Sequence, residues 1–136
     1  HGEVLYIKEG CRGIRGEAMD GFPAVSSIGL PALRELFTEK KGTNEIYIET
    51  LLRLMAGVED TNILSRSDRQ TLYYAQQAAQ DILQKGGAFT EEGLAAVWKL
   101  NDDFVARHIS PGGCADLHIL SIFLYRMESL FQGLST

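Results

Sequence analysis

Long apolar stretches, positive charge and cysteine are all scarce in this sequence. No apolar run reaches the roughly 18 residues of a membrane-spanning helix, and no charged segment precedes an apolar signal-peptide core. The net charge of −5 and the pI near 5.1 exclude the basic surface that nucleic-acid binding usually needs. Cys11 and Cys114 match no zinc spacing or disulfide framework, and Cys114 lacks an evident base to activate it. We therefore expect a cytoplasmic protein with reduced thiols and with neither nucleic acid nor membrane as a partner.

Strand signals are scarce too, and the apolar residues recur with helical spacing. The 136 residues fit one domain, residues 1–136, or a large part of one. A glycine-rich segment over 10–21 predicts an irregular loop that continues through Phe22 and Pro23. Five helices should follow, with Asn44, Ser67 and Thr90 as the N-caps of the second, third and fourth. The predicted helices cover Leu30–Glu39, Asn44 to about Val58 or as far as Leu64, Ser67–Lys85, Thr90–Arg107 and Gly113–Gln132.

The apolar residues of these helices fall on stripes that we expect to face a common core. The expected inward residues are Ile48, Leu52 and Met55 in the second helix, Leu72, Ala75, Ala79 and Ile82 in the third, and Leu94, Val97, Trp98 and Val105 in the fourth. The last helix is apolar on most sides, so several neighbours should cover it. The predicted fold is all-α, a compact multi-helix domain with a central apolar C-terminal helix.

Polar residues that continue these stripes are candidates for a buried site. Glu59 and Asn62 continue the stripe of the second helix, Asn101 that of the fourth and Asp116 that of the last. Burying a carboxylate without a partner costs several kcal/mol, so each one needs a cation, a metal or hydrogen-bond donors. Three helices that bring these groups together would form a polar pocket. Simpler roles also remain open, since Asp116 can cap its helix, Glu59 and Asp60 can be solvated at a helix end, and Asn101 can be a satisfied core amide.

The segment 107–117, R-H-I-S-P-G-G-C-A-D-L, places two glycines at the start of the last helix. Free N–H groups and the helix dipole make this turn suitable for an anion, and Asp116 beside it suits a metal that binds a phosphate. Arg12 and Arg15 lie among glycines, where they are either phosphate ligands or ordinary surface charges. His108 is expected to end the preceding helix.

Four segments follow one another along the chain: G-I-R-G-E-A with G-F-P over 13–23, G-L-P-A-L over 29–33, E-D-T-N over 59–62 and S-P-G-G-C-A-D-L over 110–117. In sequence, order and approximate separation they resemble motifs of the triphosphoribosyl-dephospho-coenzyme A synthase family. The resemblance implies an all-α transferase that uses ATP and 3′-dephospho-CoA. The 2′-hydroxyl of dephospho-CoA would attack C1 of the ATP ribose, and adenine would leave. The product would be the prosthetic-group precursor of citrate lyase or, in related members, of malonate decarboxylase.

With that reaction in view, we interpret the motif residues as parts of one site. Asp60 and Asp116, with Glu59 as a further candidate, are the predicted Mg²⁺ ligands. Glu17 or Glu59 is predicted to stabilise an oxocarbenium-like ribose or to act as the base, and Asp60 is a third catalytic candidate. The predicted substrate contacts are Arg12, Arg15 and the N–H groups of Gly112 and Gly113 for the phosphates, Asn62 for a ribose hydroxyl or a metal-bound water, and Ser110.

Length is where the chain departs from that family. Members are about twice as long, and this chain, which begins at His1, resembles only their C-terminal half. We therefore expect half of a larger all-α fold, completed by a missing N-terminal half or by a second chain, with a homo-oligomer as a further option. Two other functions remain open. One is a magnesium-dependent hydrolase that cleaves the same glycosidic bond with water, and the other is a non-catalytic helical module that binds a carrier protein.

Overall fold

The structure, a computed structural model, describes the backbone of residues 22–135 and the side chains of residues 22–133. This part of the chain is helical and contains no strand, which confirms the all-α prediction. A π-helical turn, Val25–Gly29, leads into the first helix, and a 3₁₀ turn, Gly87–Phe89, separates the fourth helix from the fifth. The six α-helices of the described part are α1 (Leu30–Thr38), α2 (Thr43–Gly57), α3 (Thr61–Arg66), α4 (Arg69–Gln84), α5 (Glu91–Arg107) and α6 (Gly112–Ser135).

Several predicted helix ends are confirmed. The Thr90 hydroxyl accepts a hydrogen bond from the Gly93 N–H at 3.0 Å and caps α5. His108 ends that helix in the left-handed conformation, with φ of 58°. Gly86 follows α4 with φ of 99°, a backbone conformation that favours glycine and stops a helix.

Three other boundaries differ from the prediction. Helix α2 begins after Gly42, and no side chain caps its N-terminus. The predicted cap, Asn44, lies inside the first turn instead. Helix α4 is capped by Asp68, which accepts from the Thr71 N–H at 2.7 Å, rather than by Ser67. The Asp68 carboxylate also places a negative charge at the positive end of the helix, which stabilises α4. The predicted loop at Pro23 is already helical.

Helix α2 packs against α1, α4 and α6 and is buried on several sides. Leu52 and Met55 join the largest apolar cluster, as predicted, while Ile46 on another side packs with Leu33 and Leu36 of α1. The inward residues predicted for α4 are all buried: Leu72, Ala75, Ala79 and Ile82.

A buried carboxylate of α2, Glu49, holds the 3₁₀ turn in place. Its Oε1 accepts a hydrogen bond from the Ala88 N–H at 2.9 Å. Gly87 in that turn has φ of 58°, and a Cβ there would lie 2.0 Å from the same carboxylate oxygen. The left-handed φ and the close approach of the carboxylate therefore both favour glycine at this position.

Helix α5 follows this turn and is rotated relative to the prediction. Gly93 approaches the backbone so closely that a Cβ would lie 1.8 Å from the Gly87 carbonyl oxygen. The contact turns the face of α5 that carries Val97, Leu100 and Phe104 towards the core.

The residues on the neighbouring face of α5 consequently point outwards. Trp98 is 69% exposed and Val105 is also exposed, so the prediction that both lie in the core is wrong. Asn101 is exposed rather than buried, which removes it from the proposed buried polar pocket.

Helix α6 packs against the π-helical turn, α1, α2 and α3. Ser121 and Leu124 are buried on that side. The expected cover therefore exists on one side of α6, whereas Ile119, Phe123 and Leu130 on the other side are exposed. No helix among the described residues has the length and apolar content to cross a bilayer.

Candidate active site

Three separate segments form one cleft of about 570 Å³ beside the start of α6. The segment after the glycine-rich region, the residues around the start of α3 and the first turns of α6 each supply part of its wall. The lining residues are Phe22, Pro23, Ala24, Val58, Glu59, Asp60, Thr61, Gly113, Asp116, Leu117 and Leu120. The structure thus brings together Glu59, Asp60 and Asp116, as the sequence predicted.

Asp60 forms the back of this cleft and is only 1% exposed. As the N-cap of α3, its Oδ1 accepts from the N–H groups of Asn62 at 2.9 Å and Ile63 at 3.2 Å. The same oxygen also accepts from Gly113 N–H at 3.2 Å, and Oδ2 accepts from Cys114 N–H at 2.9 Å. One carboxylate therefore satisfies the N-termini of two helices, α3 and α6.

The two glycines at the start of α6 leave the space that this arrangement needs. A Cβ on Gly113 would lie 2.8 Å from Asp60 Oδ1, and a Cβ on Gly112 would lie 2.9 Å from Asn62 Nδ2. Asn62 in turn donates from Nδ2 to the Ser110 carbonyl at 2.8 Å. The E-D-T-N and S-P-G-G segments are therefore packed directly on each other.

This packing changes the interpretation of the glycine turn. The predicted anion site is present, but the anion that it binds is Asp60 of the same chain. The Gly113 N–H, predicted to contact phosphate, donates to that carboxylate instead. Asn62, predicted to orient a ribose hydroxyl, uses its amide N–H to hold the Ser110 turn.

Glu59 and Asp116 are the exposed carboxylates of the cleft. Glu59 forms an exposed ion pair with Arg69, with a shortest N–O distance of 3.4 Å. Such a pair is weak, and it leaves the carboxylate available to a ligand. Asp116 has no hydrogen-bond or ion-pair partner within the described part of the chain.

The described residues do not form a complete metal site by themselves. They contain no group of three His, Cys, Asp or Glu side chains that would hold one. Asp60, one of the two predicted Mg²⁺ ligands, is buried, and both of its carboxylate oxygens already accept hydrogen bonds. Asp116 and Glu59 are then the two described carboxylates of the cleft left for a metal, which is too few for a site made of protein ligands alone.

The remaining predicted residues lie elsewhere or outside the described range. Ser110 is exposed and lines a separate apolar groove between α2 and α5 rather than the cleft. Arg12, Arg15 and Glu17 lie outside the residues that the structure describes.

Cys114 is buried at the start of α6, and its surroundings fit a structural role. Burial raises the pKa of the thiol far above its usual value, and the nearby Asp60 carboxylate adds to the effect. A thiol that stays protonated is a poor nucleophile, which agrees with the absence of a predicted base.

The apolar wall of the cleft was not among the predicted site residues. Phe22, Leu117 and Leu120 contribute to it, and the G-F-P and S-P-G-G-C-A-D-L motifs were its sequence signal. The G-L-P-A-L motif contributes through packing, because a Cβ on Gly29 would lie 2.0 Å from the hydroxyl oxygen of the buried Ser121. That close approach holds the π-helical turn against α6, beside the cleft.

Comparison with known proteins assigns the chain to a family. The ATP:dephospho-CoA triphosphoribosyl transferase family matches residues 1–134. The 2-(5''-triphosphoribosyl)-3'-dephosphocoenzyme-A synthase of Klebsiella pneumoniae is 40% identical over 123 residues, which are 90% of this chain and 41% of that protein. A probable synthase of the same name from Photobacterium profundum is 40% identical over 130 residues, 96% of this chain and 41% of the relative. No solved structure matches the chain significantly. The chain spans about two-fifths of the length of these relatives, and it belongs to the ATP:dephospho-CoA triphosphoribosyl transferase family.

Proposed function

We propose that this chain supplies the cleft in which the triphosphoribosyl group of ATP passes to the 2′-hydroxyl of 3′-dephospho-CoA, with release of adenine. The convergence of three family motifs on one cleft carries this proposal. Residues that are separated by up to 98 positions in sequence, from Phe22 to Leu120, meet there.

The reaction exchanges one bond at the ribose for another. The bond from C1 of the ribose to the adenine nitrogen breaks, and a bond from C1 to the 2′-oxygen of dephospho-CoA forms. A base removes the hydroxyl proton, and adenine leaves after gaining a proton. Positive charge develops on the ribose between these events, and a nearby carboxylate stabilises it. Glu59 and Asp116 are our candidates for these two roles, with Glu17 as a further candidate from the sequence.

Asp60 is better explained as a positioning residue than as a catalyst or metal ligand. Its hydrogen bonds to the start of α6 hold the turn from which Asp116 extends. Asn62 supports the same turn through Ser110. Arg12 and Arg15 remain the proposed phosphate contacts, whereas Gly112, which does not line the cleft, is no longer one of them.

Magnesium enters this proposal as the counter-ion of ATP and not as a resident metal. A triphosphate needs cations, and Mg²⁺ keeps phosphate oxygens and waters in its coordination shell. We further propose that the additional length of the relatives, in one chain or as a second chain, completes the site. The product would serve the acyl carrier protein of citrate lyase or of malonate decarboxylase.

Adenine release from ATP tests the proposal, with and without 3′-dephospho-CoA. The assay uses this chain and a chimaera in which it replaces the matching 123 residues of the Klebsiella pneumoniae synthase. We expect the chimaera to release adenine only when dephospho-CoA is present. Asp116→Asn in the chimaera should lower the rate by about 100-fold or more, the range for removing a preorganised electrostatic group.

Asp102→Asn is the matched control, because Asp102 is an exposed helical carboxylate that does not line the cleft. It should retain the parent rate. Adenine release without dephospho-CoA would favour the hydrolase instead. The interaction module would be favoured by a chimaera that is folded but inactive and that binds neither ATP nor Mg²⁺ in calorimetry.

A further inference from the structure

The charge of the cleft limits which part of a nucleotide it accepts. Its described lining contains three acidic residues, Glu59, Asp60 and Asp116, and no lysine or arginine. The phosphate chain of ATP carries several negative charges, and these carboxylates repel it unless a cation bridges them. An uncharged or partly positive group is favoured in the same place.

Backbone donors do not compensate for this acidity. The N–H groups of Gly113 and Cys114, which otherwise attract a phosphate to the start of α6, donate to Asp60. Asp60 also occupies the start of α3 in the same way. The positive ends of both helices are therefore neutralised from within the chain.

The rest of the lining suits a flat, largely apolar group. Phe22 lies at the cleft with 49% of its surface exposed, and Pro23, Leu117 and Leu120 extend the apolar wall. The volume of about 570 Å³ lies within the range of small-molecule sites. An exposed aromatic ring beside such a wall can stack on a heterocyclic base.

The carboxylates of Glu59 and Asp116 complete this arrangement. Ionised carboxylates only accept hydrogen bonds, so they recognise hydroxyl and amino groups. Acidic side chains bind ribose hydroxyls in this way in other nucleotide sites.

We infer that the cleft binds the nucleoside end of its nucleotide, the base and the ribose, and that the phosphates lie outside it. The inference rests on the proposed function for the identity of the nucleoside. It adds that Phe22 contacts the base and that Asp116 contacts the sugar.

Binding of two separate probes to the full chain tests the inference. Adenosine carries only the nucleoside end, and inorganic tripolyphosphate, tested without and with magnesium, carries only the phosphate end. In ¹⁵N NMR titrations, adenosine should shift the amide signals of Phe22, Ala24 and residues 113–120, and tripolyphosphate should leave them unchanged. Asp116→Asn and Phe22→Ala should each weaken adenosine binding by about tenfold, the usual effect of losing one charged hydrogen-bond partner or one stacking contact. Asp102→Asn should bind adenosine as the parent does.

Two results would overturn the inference. The first is a tripolyphosphate titration that shifts the signals of residues 113–120. The second is adenosine binding that is absent or unaffected in both variants. The adenine-release assay separates this inference from the proposed function. If adenosine binds in the cleft but the chimaera transfers nothing, the inference is supported and the proposed function is not. If the chimaera is active but tripolyphosphate binds in the cleft, the proposed function is supported and the inference is not.

Discussion

Replacing Asp60 by alanine removes four hydrogen bonds and leaves their N–H donors without the acceptor that they share. Loss of an N-cap alone costs about 0.5–2 kcal/mol, and an unsatisfied buried donor costs about 1–3 kcal/mol. We expect Asp60→Ala to lower the free energy of unfolding by ~3 kcal/mol, as measured by urea denaturation.

Asp116→Asn is the control at this scale, since Asp116 is exposed and has no partner in the described part of the chain. Its stability should stay within about 0.5 kcal/mol of the parent. If the two variants are equally stable, Asp60 does not stabilise the N-termini of α3 and α6 as described. The pair thus separates the carboxylate that holds the cleft together from the one that faces a ligand.

The residue types of the site were predictable, but their partners were not. Asp60 and the glycines of the S-P-G-G turn were both identified from the sequence as parts of an anion or metal site. Their direct contact joins positions 53 residues apart, and no local pattern encodes such a contact. The sequence therefore indicates that an anion meets the turn, and only the fold shows that the anion is Asp60.

At the scale of the helices, His118 connects α6 to α2. Its Nε2 lies 2.8 Å from the Tyr47 carbonyl oxygen, so this nitrogen carries the hydrogen and donates. Burial lowers the pKa of His118 below its ordinary value, although the hydrogen bond opposes the shift. The folded state therefore prefers the neutral ring more strongly than the unfolded state does.

The sign of the resulting pH dependence follows from this preference. As the pH falls below about 6.5, the unfolded chain binds a proton at this histidine before the folded chain does. Stability from this source is fully present above that pH and is lost as the pH falls towards the lower pKa of the folded state. Urea unfolding of the parent should therefore show a larger loss of stability between pH 7.5 and pH 5.5 than unfolding of His118→Gln.

His108→Asn provides the control for that experiment. His108 is exposed, and asparagine tolerates the left-handed conformation at this helix end. This variant should keep the pH dependence of the parent. If His118→Gln keeps it as well, the buried histidine is not its source.

Helix positions were predicted better than helix rotations and caps. Periodicity located α4 and its inward face because its four apolar residues repeat without ambiguity. For α5 the choice between neighbouring faces depends on the contact of Gly93 with the Gly87 backbone, which joins two elements. The cap of α4 was assigned one residue early because Ser67 and Asp68 are both good N-caps, and propensity alone does not choose between them.

At the scale of the whole molecule, composition and periodicity were enough for the fold class. Helical spacing and the scarcity of strand signals both agree with the observed helices. Which surfaces are covered depends on packing between distant elements, and here the prediction was weaker. Two apolar faces that were expected to be covered are exposed. They carry Trp98 and Val105 on α5 and Ile119 and Phe123 on α6.

The exposed face of α5 has a direct spectroscopic consequence, because Trp98 is the one tryptophan of the sequence. The Trp98 side chain is 69% exposed, so its fluorescence has the emission wavelength of an indole in contact with water. Native emission should therefore lie close to that of the urea-unfolded chain, and acrylamide should quench both forms to a similar degree. Trp98→Phe serves as the blank that assigns the signal. The same result is expected at every protein concentration. A blue shift and protection from acrylamide that grow with concentration would contradict it, because they would mean that a second copy of the chain covers this face of α5.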